Sequence, residues 1–196
     1  MRELPPADMR VRDLLNYIRY YDHAISEESC ARMVDTFERC PEFQAENGAS
    51  ARAGLELSRW TEINVTKLSD PTFERYFIQN VSFYKHRYEV DCGLAQPLPD
   101  PSRLAPLMMK RYRPGGDEGF QPHFDAAREH CNRYLVFLWY LNDVSVGGET
   151  RFVDLNHQVA PACGRLLIFP PYWTYVHAGL PPVSGPKYIL STYLLW

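Results

Sequence analysis

Four side chains in the second half of this chain have types and spacing that could do chemistry together: His123, Asp125, His177 and Lys187. Two imidazoles and one carboxylate form the ligand set that holds Fe(II) on one side and leaves three facing positions open for a chelating co-substrate and O2. A lysine ten positions after the last ligand could grip the far carboxylate of a bound keto-acid. Zinc would more often take a closed tetrahedral set, or three ligands and a water, and none of the five cysteines clusters with these residues. Taken singly, each residue also has a plain structural explanation. A His-x-Asp triplet is short enough to recur by chance. His123 could be a hydrogen-bonded core histidine and Asp125 a turn residue. Lys187 could sit at the start of a strand with its ammonium reaching water. Burying that ammonium unpaired beside Tyr188, Ile189 and Leu190 would cost several kcal/mol, which an anionic co-substrate would offset.

The elements that must position these residues can be read from periodicity. From Leu107 onward, short apolar, β-branched and aromatic runs alternate with Gly, Pro and Asn-Asp turns. Strands are expected near 107–112, 121–124, 134–141, 149–152, 158–160, 165–169, 175–178 and 187–194. About eight short strands with close turns suggest a double-sheet jelly roll. On a strand, residues two apart share a face. His123 and Asp125 can then reach one ion together, with Phe124 turned the other way into the sheet and His177 arriving from another strand.

The first half reads as helical. Ser26 is a good N-cap, Glu27 and Glu28 suit the first turn, Cys30, Met33, Val34 and Phe37 form one apolar face, and Pro41 ends the element. Asp70-Pro71 opens a second helix whose stripe is Phe73, Phe77, Val81, Tyr84 and Tyr88. The fold class expected is α+β, mainly β: a double-stranded β-helix, or jelly roll, with the N-terminal helices packed on one sheet. A chain of 196 residues fits one domain, residues 1–196, with 1–106 as helical support and 107–196 as the jelly-roll core. The polar stretch 41–62 reads as a long connection and a candidate lid.

Composition bounds the partners. A net charge of -3 argues against a nucleic-acid binder that relies on bulk positive charge. Five cysteines, an odd number without a C-x-x-C pair, fit reduced thiols better than a disulfide framework. The N-terminal residues contain no apolar run of signal-peptide type. The longest strongly apolar run, near Leu135–Leu141, is far too short to span a bilayer. The expectation is a cytoplasmic protein with no nucleic-acid or membrane partner; the oligomeric state stays open.

Read together, the segments of residues 107–196 resemble the prolyl-4-hydroxylase-like group of Fe(II)- and 2-oxoglutarate-dependent oxygenases. The resemblance runs through Arg111-Tyr112-Arg113-Pro114-Gly115, Pro122-His123-Phe124-Asp125, Arg133 and Trp139 to Val144. It continues through Gly147-Gly148-Glu149-Thr150-Arg151-Phe152, Val159-Ala160-Pro161 and Gly164 to Pro170. It closes on His177-Ala178-Gly179, Pro182-Val183 and Gly185-Pro186-Lys187-Tyr188. The first half is only loosely similar.

The resemblance implies Fe(II) held by His123, Asp125 and His177, with 2-oxoglutarate and O2 as co-substrates and ascorbate as an optional reductant. It implies Lys187 on the distal carboxylate, and Tyr112 and Tyr140 near the co-substrate. The implied reaction is hydroxylation of an unactivated C–H bond of a small molecule, an amino acid or a peptidyl residue, with release of succinate and CO2. An intact carboxylate at Asp125 favours hydroxylation over halogenation. Arg151, Trp173, Tyr175, Arg59 and Trp60 are candidates for substrate contact, although aromatic residues in a strand more often belong to a core. Arg133 reads as a support residue, and His130 and His157 as solvated loop residues. Two rival classes remain: a non-catalytic metal-binding jelly-roll module, and a metal-dependent hydrolase on the same scaffold.

Overall fold

A computed structural model describes residues 13–49, 54–101 and 103–196. Its strands are β1 (Arg19–Tyr21), β2 (Ala45–Gly48), β3 (Arg59–Asn64), β4 (Arg103–Leu104), β5 (Met108–Tyr112) and β6 (Phe120–His123). They continue with β7 (Arg133–Tyr140), β8 (Thr150–Phe152), β9 (His157–Val159), β10 (Leu166–Phe169), β11 (His177–Gly179) and β12 (Lys187–Leu195). The helices are α1 (Glu27–Arg39) and α2 (Pro71–Asp91). Every strand pairing is antiparallel. The major sheet runs β1-β10-β7-β12-β5-β3-β2, with β4 against the end of β12. The minor sheet runs β6-β11-β8-β9.

Both helices start as their sequences require. The Ser26 hydroxyl accepts from the Ser29 amide at 3.2 Å. The Asp70 carboxylate accepts from the amides of Thr72 and Phe73 at 2.7 and 3.0 Å, with Pro71 in the first turn.

Alternation along the central strands then sorts two cores. On β7, Leu135, Phe137 and Trp139 face the helices, and Phe77 of α2 meets Trp139 edge-on at 5.2 Å between ring centroids. Val136, Leu138 and Tyr140 face the space between the sheets, with Phe152, Phe169 and Ile189. The same period on β12 turns Tyr188, Leu190 and Leu194 toward the helices, leaving Lys187, Ile189, Ser191 and Tyr193 inside the barrel. Burying each such large apolar side chain stabilises the fold by about 1.5–3 kcal/mol.

The first half departs from the helical expectation by supplying β1, β2, β3 and the short β4. The stretch 41–62 is not a plain connection: β2 and β3 form a hairpin on the edge of the major sheet, in register from Ala45 with Glu62 to Gly48 with Arg59. Residues 50–53 of the candidate lid lie outside the described residues. The segment Ala45-Glu46-Asn47-Gly48 has little strand propensity of its own, so its extended form comes from pairing with β3. Gly48 is required there. Its φ is +102°, and a Cβ would stand 2.1 Å from the Ser58 carbonyl oxygen. Among the described residues, no helix is long and apolar enough to cross a membrane, and all five cysteines are free thiols.

Candidate metal centre and co-substrate pocket

His123 ends β6 and His177 begins β11, and the two pair directly across the minor sheet. Their Nδ1 atoms lie 2.8 Å from the Gln121 carbonyl and 3.0 Å from the Tyr175 carbonyl. A carbonyl oxygen only accepts, so each Nδ1 carries a proton and each Nε2 is the nitrogen left to face an ion. Both Nε2 atoms converge on Asp125. His123 Nε2 is 3.6 Å from Oδ1, and His177 Nε2 is 3.4 Å from Oδ2. One donor atom from each of the three residues falls within 4.8 Å of the others.

The expectation that strand alternation places Asp125 beside His123 is not met. β6 stops at His123, and Asp125 lies in the bend beyond it. Its amide and that of Ala126 both donate to the Pro171 carbonyl at 3.0 Å, and this turns the carboxylate inward. Phe124 is correspondingly 39% exposed rather than turned into the sheet.

The Asp125 carboxylate is clamped on one oxygen and open on the other. Oδ1 accepts from the Tyr193 hydroxyl at 2.9 Å, while Oδ2 is buried without a hydrogen bond. Arg133 lies over the Tyr193 ring at 3.8 Å, with Nη1 3.9 Å from Oδ1. Burial alone would raise the Asp125 pKa. The imidazoles of His177 and His123 and the Arg133 guanidinium outweigh it and hold the carboxyl below its ordinary range. Burial, helped by neighbouring His123, pushes His177 down to about 4, which keeps its imidazole neutral. Two imidazoles anchored through Nδ1 and one ionised carboxylate with a bare buried oxygen suit a divalent ion such as Fe(II).

Lys187 opens β12 and is only 2% exposed. Its ammonium lies 5.2 Å from the Tyr112 ring centre and 5.8 Å from that of Tyr140. Gly179, two residues past His177, faces it closely: a Cβ on that glycine would stand 3.8 Å from Nζ. Burial lowers the Lys187 pKa to about 7; Glu149 pulls it back up and Lys110 presses it further down. A buried cation a short way from the three ligands is a ready anchor for the far end of a dicarboxylate.

His123, Asp125, His177 and Lys187 line one cavity of about 300 Å3 between the sheets. Trp60 and Tyr112 line it too. The Tyr140 hydroxyl does not face it freely but donates to Thr150 Oγ1 at 2.6 Å, and Thr150 is the residue on the wall. Other substrate candidates lie elsewhere. Arg151 projects from the outer face of β8, because its neighbours Thr150 and Phe152 point in. Trp173 is 71% exposed. Tyr175 is buried in the inter-sheet core and donates to the Leu14 carbonyl at 3.2 Å. Arg59 is exposed on the opposite side of β3 from Trp60 and pairs through its backbone with Gly119.

The wall also holds residues to which sequence reasoning gave no part in the site: Tyr193, Thr150, Glu62 and Lys110. His130 borders the cavity rather than lying wholly in solvent, and His157 opens β9. Counting in twos from Lys187 along β12 reaches Tyr193, so its facing was legible. Its bond to Asp125 was not.

Comparison with known proteins agrees with this geometry. Residues 107–195 match the family model of the 2OG-Fe(II) oxygenase superfamily. Prolyl 4-hydroxylase subunit alpha-1 of Gallus gallus is 30% identical over 112 residues, covering 48% of this chain but only 21% of that protein. A prolyl-4-hydroxylase of Pseudomonas putida superposes with a TM-score of 0.66 at 16% identity, over 92% of this chain and 93% of that one. The viral collagen prolyl hydroxylase of Paramecium Bursaria Chlorella virus-1, solved as a 2OG complex, gives 0.61 at 18% identity, over 91% and 95%. These two share the double-stranded β-helix fold of this chain. Over residues 107–195 this chain is therefore similar to the 2OG-Fe(II) oxygenase superfamily, and its fold is the double-stranded β-helix that the prolyl hydroxylases above share.

Proposed function

We propose that the protein is an Fe(II)- and 2-oxoglutarate-dependent hydroxylase acting on an unactivated C–H bond. One observation carries the reading. Two Nε2 atoms and an unpartnered carboxylate oxygen converge at one end of a cavity that also holds a buried lysine. His123, Asp125 and His177 would hold the iron. Lys187 would pair with the distal carboxylate of 2-oxoglutarate, beside Tyr112. Bound iron supplies the activation of O2: one oxygen atom enters succinate as 2-oxoglutarate loses CO2, and the other enters the substrate as a hydroxyl.

The chain's own residues do the rest. The two backbone carbonyls anchor both imidazoles through Nδ1, and Tyr193 orients Asp125. The sheet walls, from Phe169 to Ile189, keep water from the reacting centre. Because Asp125 fills its position with a carboxylate, it leaves no ligand place for a halide, which supports hydroxylation as the outcome. The prolyl hydroxylases among the relatives support an aliphatic C–H of an amino acid, free or within a chain, as the position oxidised.

The test is anaerobic addition of 2-oxoglutarate to the Fe(II)-loaded protein, followed by exposure to O2. A visible charge-transfer band should appear first, then succinate in proportion to the 2-oxoglutarate consumed. Asp125→Ala should lose both responses while keeping the far-ultraviolet circular dichroism of the parent. A parent protein that forms no such band, or an Asp125→Ala variant that turns over at the parent rate, would overturn the assignment.

A further inference from the structure

Among the described residues, two buried polar atoms on the cavity wall have no hydrogen-bond partner: Asp125 Oδ2 and Ser191 Oγ. The first is the oxygen that would meet the proposed metal. The second has no part in the site described so far. Ser191 is 3% exposed, and an unpaired buried hydroxyl costs folding free energy unless a partner arrives. Hydroxyls around it are engaged. Tyr193 donates to Asp125 Oδ1 and Tyr140 to Thr150 Oγ1. Thr192, the next residue on β12, donates to the Ala105 carbonyl at 2.7 Å.

Register places the free hydroxyl. Lys187, Ile189, Ser191 and Tyr193 follow one another along β12 and all line the cavity. Lys187 would grip one end of 2-oxoglutarate, and Tyr193 clamps Asp125. Ser191 therefore stands between the co-substrate anchor and a proposed metal ligand. The span fits. Successive inward positions on a strand of this kind lie about 6.8 Å apart. Five carbons in an extended chain reach about 5 Å from first to last. A diacid pinned by Lys187 at its far end covers about the step past Ile189, which brings its other carboxylate within reach of Ser191.

The row itself offers that carboxylate no other donor. Met108 and Leu138, the cross-strand partners of Ser191, are apolar and line the cavity with it. A 2-oxo acid on a metal uses its keto oxygen and one carboxylate oxygen, so the second carboxylate oxygen needs a donor from the protein. No protein partner holds the Ser191 side chain, so its hydroxyl is free to turn between staggered rotamers and meet that oxygen.

We propose that Ser191 is a co-substrate-binding residue whose hydroxyl donates to the carboxylate beside the keto group of 2-oxoglutarate, while Lys187 holds the opposite end. Ser191 thereby reads the 2-oxo acid head, and Lys187 reads the length of the molecule. This assignment rests on the hydroxylase reading above.

The experiment titrates the anaerobic Fe(II) protein with 2-oxoglutarate and follows the visible band, which reads binding without turnover. A hydrogen bond to a charged acceptor corresponds to about tenfold or more in affinity. Ser191→Ala should raise the 2-oxoglutarate dissociation constant by about that factor and shift the band maximum at saturation, because the lost bond ends on the group that meets the metal. Lys187→Ala should also weaken binding, but its saturated band should keep the parent position. The melting temperature of metal-free Ser191→Ala should equal or exceed that of the parent, since the deleted hydroxyl has no protein partner. The proposal is overturned if Ser191→Ala binds 2-oxoglutarate within twofold of the parent or if its saturated band is unshifted. A fall in melting temperature would also overturn it, by making the hydroxyl a support of the fold. A parent protein that forms no band with 2-oxoglutarate would instead remove the hydroxylase reading.

Discussion

Tyr193→Phe deletes one oxygen atom behind the proposed metal ligands and leaves the ring in place. In the parent that hydroxyl donates to Asp125 Oδ1 at 2.9 Å, and Oδ2 is left bare as the oxygen that would meet the proposed metal. The acceptor is ionised, so the bond is worth about 1.5–3 kcal/mol. Without it the nearest cation to Oδ1 is Arg133 at 3.9 Å, and the carboxylate can rotate away from the position in which its free oxygen meets the two Nε2 atoms. Outer partners of metal ligands typically contribute 10–100-fold in affinity, about 1.4–2.8 kcal/mol at 1.4 kcal/mol per decade. The two estimates overlap, so the metal dissociation constant should rise by about 10–100-fold. Cobalt(II), titrated against a competing chelator and followed by its visible absorption, reads this without turnover. The phenylalanine ring keeps the surface on which Arg133 lies at 3.8 Å, so the melting temperature of the metal-free protein should move little. A dissociation constant within twofold of the parent would refute the clamp and leave Tyr193 as a space-filling residue.

Co-substrate binding should depend on pH through Lys187. Its pKa in the metal-free protein is lowered to about 7, by burial first and by Lys110, against the pull of Glu149, and an anion on the ammonium would raise it again. The charged form binds, so affinity for 2-oxoglutarate should be full below pH 7 and fall by about tenfold between pH 8 and 9. Calorimetry in buffers of different ionisation enthalpy should show proton uptake on binding at pH 8, and a flat profile would reject the role. Gly48→Ala must place a Cβ 2.1 Å from the Ser58 carbonyl oxygen at a φ of +102°. Its cost should exceed the roughly 1–2 kcal/mol of a left-handed residue alone, and an unchanged urea midpoint would show that the β2–β3 hairpin yields freely. Phe77→Ala removes the α2 ring that packs on Trp139 and should cost about 3–5 kcal/mol in chemical denaturation. A loss below about 1 kcal/mol would mean that the helix is not integral to the core.

Much of the site could be read from residue types and order. The imidazole–carboxylate–imidazole set, the lysine beyond it and the jelly-roll pattern all depend on local spacing. Alternation on β7 and β12 is likewise local: a period of two decides which side chains face the same way, whatever lies opposite. The helix starts at Ser26 and Asp70 were legible for the same reason, since a cap acts within three residues. Arg151, by contrast, faces outward, because alternation fixes relative facing while the sheet as a whole decides which face is inside. Trp173 and Tyr175 lie in a short 3-10 turn ahead of His177, where no strand period applies.

His123, Asp125, His177 and Lys187 therefore announce a chemistry by themselves, because donor types and charge are properties of side chains. Only the tertiary structure decided how Asp125 reaches the others, through its hydrogen bond to Pro171 rather than through a strand. The tertiary structure also turned a polar stretch into the hairpin that carries Glu62, and set Tyr193 behind Asp125. Those contacts join residues far apart in sequence. Their energies come from partners that a local pattern does not contain.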